Sequence, residues 1–291
     1  MNGRIILCAD DYAMAPGISR GVRMLAAAAR ISATSAIVTR PQWMTEAAAI
    51  KPFAPSLAIG LHLNLTSGAP LGPCGLPLRA SSLPGIAKLI ALSYTRALDP
   101  AGLTSEIERQ LDAFEAGLGM APDFVDGHEH AHVLPVIRAT LLAVLHQRYG
   151  KRLLLIRDPS APLSQAVRRG APVVKSLLLR LLARNMRRDA EQAHFISNDR
   201  FAGISGFAPS ASAVANDFGS AATLDGWRPL VMCHPGLPDA TSAKAGALSA
   251  RRQAEFDALM AATPIIPDLW RPSRNNDGCI DWPMSPLERK P

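Results

Sequence analysis

Cysteine is sparse and unpaired in this chain. Its four residues, Cys8, Cys74, Cys233 and Cys279, form no CxxC pair. That excludes a zinc ribbon and a disulfide-dense scaffold, and points to small core or loop positions in a reducing compartment. Aromatic residues make up 5% of the chain and charged residues 19%. The first is too little for a nucleic-acid stacking platform, the second too little for a disordered polyelectrolyte. No apolar run approaches the ~20 residues that cross a bilayer. The first apolar stretch runs straight into Asp10-Asp11, without the longer segment and cleavage site of a secretory signal, so a cytoplasmic protein is expected. A GxxxxGK phosphate loop and a GxSxG nucleophile elbow are also missing.

What is present is apolar and regularly punctuated. Hydrophobic residues account for 48% of 291 positions, enough for a large core and a length that suits one (β/α) barrel. The formal charge of +7 is concentrated: Arg168, Arg169, Lys175, Arg180, Arg184, Arg187 and Arg188 share one stretch without an acid. No nucleic-acid partner is expected, because these residues lack interleaved aromatics.

Short apolar runs at Arg4–Ala9, Thr34–Thr39, Leu57–Leu61, Phe124–Asp126, Leu153–Ile156 and Leu230–Cys233 read as buried strands. Helical patterns at Pro16–Arg30, Thr104–Leu118, Leu134–Tyr149 and Ser249–Ala262 lie between them. The alternation predicts parallel βαβ units and an irregular (β/α) barrel over residues 1–271. Thr66–Pro84 and Pro159–Gly206 read as insertions, and 272–291 as an extended tail.

Chemistry in parallel barrels collects at the carboxyl ends of strands. Five predicted strands end in ionisable residues: Asp10-Asp11, His62, Asp126 through His132, Arg157-Asp158 and His234. Five of the seven histidines fall at these ends. Such a cluster is costly to bury without a cation, and a mixed oxygen and nitrogen set suits Zn²⁺, Mg²⁺, Mn²⁺, Co²⁺ or Ni²⁺. A catalytic divalent metal with an adjacent carboxylate base and a histidine acid describes hydrolysis of an amide or ester.

The ordered motifs Ala9-Asp10-Asp11-Tyr12, Gly60-Leu61-His62-Leu63-Asn64-Leu65-Thr66, Asp126-Gly127-His128-Glu129-His130-Ala131-His132 and Met232-Cys233-His234-Pro235-Gly236, with Thr34-Ser35, resemble the YdjC family. That family includes chitooligosaccharide deacetylases. The resemblance runs from Arg4 to about Leu269 and implies a barrel, related to polysaccharide-deacetylase-like barrels, that removes an acetyl group from an N-acetylated sugar with one divalent metal ion. Asp11, His62 and His128 match the metal ligands, Asp10 the general base and His234 the general acid. Arg157, His130, His132 and Asn64 are the candidates for substrate binding; Arg157 alternatively pairs with Asp126, and His130 and His132 alternatively serve structure. The family's Asn-Ala-Asp-Asp-Phe-Gly reads Cys8-Ala9-Asp10-Asp11-Tyr12-Ala13 here, and Glu129 stands where Gln or His is frequent.

Three functions are compatible with these residues: a deacetylase of small chitin-derived glycans, a deacetylase of a lipid-linked amino sugar, or a sugar- or metal-binding barrel without catalysis. Val173, Val174, Leu177, Leu178, Leu181 and Leu182 line one helix stripe in the basic stretch. It is read as packed on the barrel or forming a homodimer contact, with peripheral attachment to anionic lipid as the alternative.

Overall fold

A computed structural model describes residues 4–78, 81–150, 152–161, 173–239 and 247–284. Strand β1 (Ile6–Tyr12) is buried along its whole length. It pairs in parallel with β2 (Ala33–Ala36) on one side and β7 (Pro229–Cys233) on the other. Parallel ladders continue through β3 (Ala58–Leu63), β4 (Phe124–Gly127) and β5 (Leu155–Ile156), and β6 (Arg200–Ala202) flanks β7. The order is β5-β4-β3-β2-β1-β7-β6. A single parallel bridge between Leu155 and Ile196 brings the chain entering β6 back to β5, so the sheet curls into an irregular (β/α) barrel.

The two-residue period of a strand sorts side chains between two cores. Ile6, Cys8, Ala33, Ala58, Phe124, Leu155, Phe201, Leu230 and Met232 fill the interior. Their neighbours Leu7, Ala9, Ile59, Leu61, Val125, Ile156, Val231 and Cys233 face outward into the layer of helices. Gly60 lies opposite Phe124; a Cβ there would sit 2.5 Å from the ring, so the absence of a side chain is what admits the phenyl group. Following the inner parity toward the strand ends leads to Asp10, Ser35, His62, Asp126 and Arg157.

The helices are α1 (Pro16–Ala27), α2 (Trp43–Ile50), α3 (Ile86–Tyr94), α4 (Pro100–Leu118), α5 (Pro135–Tyr149), α6 (Val173–Ala183), α7 (Met186–Gln192), α8 (Ala211–Ala221) and α9 (Ala247–Met260). Helix α4 begins one turn before the expected Thr104, because Asp99 accepts from the Ala101 and Gly102 amides.

Two boundary expectations are corrected. The stretch 159–206 is not wholly an insertion: β6 and the Ile196 bridge inside it belong to the barrel wall. Three residues are too few to show a period in sequence. Nor do residues 272–284, the described part of the expected tail, hang free. Ile280 and Trp282 are buried in the barrel interior, Trp282 stacks on Trp270 at 5.1 Å and meets Phe124 edge-on at 6.3 Å. Arg274 clamps both oxygens of Asp123 at 2.8 Å. Arg168 and Arg169 lie outside the described residues.

Candidate active site

The register of β1 against β2 shifts between Ala9 and Tyr12, and Asp11 takes a left-handed φ of 67°. In a regular strand adjacent carboxylates would point to opposite faces. The irregularity re-aims the second one, so both Asp10 and Asp11 serve the barrel mouth. Ala13 also holds a left-handed φ of 67°. The turn associated with glycine at this place is therefore kept with alanine, fixed by hydrogen bonds from Ala13 N to Ser19 Oγ and from Gln42 Nε2 to Ala13 O.

Asp11 Oδ1 lies 2.9 Å from His128 Nδ1 and 3.4 Å from His62 Nε2. The two imidazoles meet edge to face at 5.5 Å. One ligand atom from each of the three residues lies within 4.8 Å of the others, and Asp11 and His62 are buried. On its far side His62 Nδ1 contacts Asp126 Oδ1 at 2.6 Å and Ser35 Oγ at 3.0 Å. A proton on Nδ1 donated to Asp126 leaves Nε2 as the free donor atom, the orientation that a metal-binding histidine needs. Burial opposes charge on His62, yet the carboxylates of Asp126 and Asp11 outweigh it and raise the ring to about 10. The donor set thus attracts positive charge, and it fits one divalent cation.

A second layer sits beneath. Arg157 is fully buried and binds Asp10 through Nη1 at 2.6 Å and Nη2 at 2.7 Å. The same Nη2 lies 2.6 Å from Asp126 Oδ2 and 3.0 Å from Cys8 Sγ. Cys8, Asp10 and Asp126 also converge closely enough for a cation, but the guanidinium already supplies the positive charge there. Burial raises the Asp10 carboxyl, and Arg157 overrides that to hold it below the usual carboxylate range.

His234 follows β7. Its backbone N–H donates to Glu255 Oε2 at 2.5 Å and its ring packs edge-on to Phe207 at 5.4 Å. Burial lowers the pKa of the ring. Arg252 of α9 pairs with Asp11 Oδ2.

The residues read as substrate contacts are distributed differently. The Asn64 amide is buried and consumed by its own loop, donating to Thr39 Oγ1 and Ser67 O while its carbonyl accepts from Thr66 and Ser67. His132 is buried and joins Arg157 O through Nε2 at 2.9 Å. Arg157 is spent on Asp10 and Asp126, so of its two readings the pairing is the one realised. All three side chains have partners within the protein. His130 remains at the rim, half-buried, edge-on to Phe201 and with Nδ1 unpartnered. Glu129 is exposed. Sequence reading missed Arg252, Glu255 and Phe207. The first two look like any charges on a helix, and Phe207 lies outside every motif.

Fold and site together define a parallel (β/α) barrel with an Asp-His-His cluster at its strand ends and a buried Asp–Arg pair behind it. The family model described as YdjC-like protein matches residues 4–263, and the chain belongs to the YdjC family. It is 34% identical to a human carbohydrate deacetylase over 156 residues, 51% of this chain and 47% of that one. It is 29% identical to an Enterobacter chitooligosaccharide deacetylase over 161 residues, 55% of this chain and 62% of that one. The chain thus spans about half to three-fifths of the length of these curated relatives. A solved Enterococcus faecalis structure named for cellobiose-phosphate cleavage shares the fold, with a TM-score of 0.65 and 20% identity over 90% of this chain and 92% of that one. Among the described residues no helix is long and apolar enough to cross a membrane.

Proposed function

We propose that this protein is a metal-dependent hydrolase that removes the acetyl group from an N-acetylated sugar, a chitooligosaccharide or a related glycan. The observation that carries the reading is the convergence of Asp11, His62 and His128 beside an Asp10 locked in orientation by Arg157. The names of the curated relatives support the substrate class.

Asp11, His62 and His128 would hold the cation, with Zn²⁺ or Mg²⁺ first and Co²⁺ or Ni²⁺ as alternatives. When bound, it supplies Lewis acidity toward water and the acetamide carbonyl. Asp10 takes the proton from the attacking water; its two bonds to Arg157 keep it ionised and aimed. His234 delivers a proton to the departing nitrogen. The carbon–nitrogen bond of the acetamide breaks, a carbon–oxygen bond forms, and acetate and the free amine leave. A reducing, cytoplasmic setting fits the free cysteines.

Acetate release from diacetylchitobiose and longer chitooligosaccharides tests this, using metal-stripped protein resupplied with each metal in turn. Release that requires metal and disappears in His128→Ala along with bound metal is the expected result. Asp10→Asn should keep the metal and lose ~10²–10⁴ in rate. Release that persists without metal, or in His128→Ala, overturns the reading.

A further inference from the structure

Helix α6 wears its apolar residues on the outside. Val173, Val174, Leu177, Leu178 and Leu181 are exposed, Val174 to 82%, whereas Ser176, Leu179 and Ala183 are buried. At about 100° per residue the exposed five share one side of the helix and the buried three lie opposite. Exposed Arg180 and Arg184 border the apolar strip. A helix that only packs on its own protein shows the reverse pattern. Contiguous exposed apolar surface rimmed by polar residues marks a contact site.

The same helix adjoins the proposed active site. Lys175 Nζ lies 4.8 Å from the centroid of the Phe207 ring, and Phe207 packs on His234.

We propose that α6 docks on the surface of an anionic lipid bilayer, its leucines entering the interface and its arginines meeting the headgroups. Charge selects this occupant. Lys175, Arg180 and Arg184 are exposed and the helix carries no acid, so a second copy applied to the same face would bring two like-charged strips together. An anionic membrane offers opposite charge at the surface and hydrocarbon just below it. Docking brings the Phe207–His234 side of the barrel to headgroup level, where an N-acetylated amino sugar carried on a lipid is the substrate class within reach. That substrate rests on the deacetylase reading; the docking does not.

The test is flotation of the full chain with vesicles of phosphatidylcholine alone and of phosphatidylcholine mixed with phosphatidylglycerol. The chain should float with the anionic vesicles and not with the neutral ones. Leu177→Glu with Leu178→Glu should lower partitioning roughly tenfold or more, the scale of two unburied leucines. Arg180→Gln with Arg184→Gln should weaken binding with native apolar residues in place, a control independent of the leucine changes. Failure to float with anionic vesicles, or wild-type flotation by the Leu177→Glu, Leu178→Glu chain, overturns the proposal. So does a dimer that the same substitutions dissolve in the absence of vesicle binding. Acetate release from soluble chitooligosaccharides separates the two readings. Flotation lost in the Leu177→Glu, Leu178→Glu chain, with its release intact, supports docking as the role of α6. Flotation without release from any sugar leaves docking standing and removes the deacetylase.

Discussion

Arg252 and Asp11 stand 241 residues apart in the chain and form a buried ion pair at the mouth of the barrel. The arginine takes Oδ2 of a carboxylate whose Oδ1 faces His62 and His128, so it fixes which oxygen is offered to a cation. Arg252→Gln should therefore weaken metal affinity by ~10–100-fold, the usual effect of removing a group that orients a ligand. Competition with a chromogenic chelator measures it, and an unchanged affinity would remove Arg252 from the site.

Arg157 neutralises two buried carboxylates at once, Asp10 and Asp126. Arg157→Met should destabilise the fold by about 3–5 kcal/mol, because it leaves two buried carboxylates without their cation. Pairing it with Asp126→Asn should recover part of that loss. Urea unfolding of the single and double variants checks both expectations; additive losses would show that the carboxylates do not share the arginine.

Gly60 and Phe124 form a complementary pair in the barrel interior. Gly60→Ala should cost ~1–3 kcal/mol by overpacking, since its methyl would press on a ring already held by Trp282. Phe124→Leu in the same chain should relieve the clash, so the two changes should couple in a double-mutant cycle. Simple additivity would show that the ring has room to move.

His132 is neutral in the folded protein, its pKa lowered by burial to about 4 despite the hydrogen bond with Arg157 O. The unfolded ring binds a proton near its ordinary value while the folded ring does not, so the unfolded state holds more protons in this window. Stability should fall as pH drops from about 6.5 to about 4, by about 3 kcal/mol at the lower end. His132→Gln should flatten that slope in unfolding curves taken across the range; an identical slope would assign the acid sensitivity elsewhere.

The strand ends were legible in the sequence because burial on both faces makes each strand a short apolar run, and the first polar residue after it is conspicuous. The ionisable strand ends stand out for that reason, and the resemblance of the ordered motifs to the YdjC family singles out Asp11, His62 and His128 among them. Asn64 and His132 carry the same signal, yet the structure turns them inward to hold loops. A polar residue at a strand end looks the same whether it meets substrate or a backbone carbonyl.

The sequence by itself determined the alternation of strands and helices, and hence a parallel barrel, because both follow from local hydrophobic period and punctuation. It also determined which ionisable residues share the carboxyl end of that barrel. Tertiary structure alone decided the partners: Arg157 between Asp10 and Asp126, Arg252 on Asp11, Trp282 inside the barrel from a stretch that reads as a tail. It decided the outward apolar face of α6 as well. Each of these depends on contacts between residues far apart in the chain, where no period or spacing records which side chain a charge or a ring will meet.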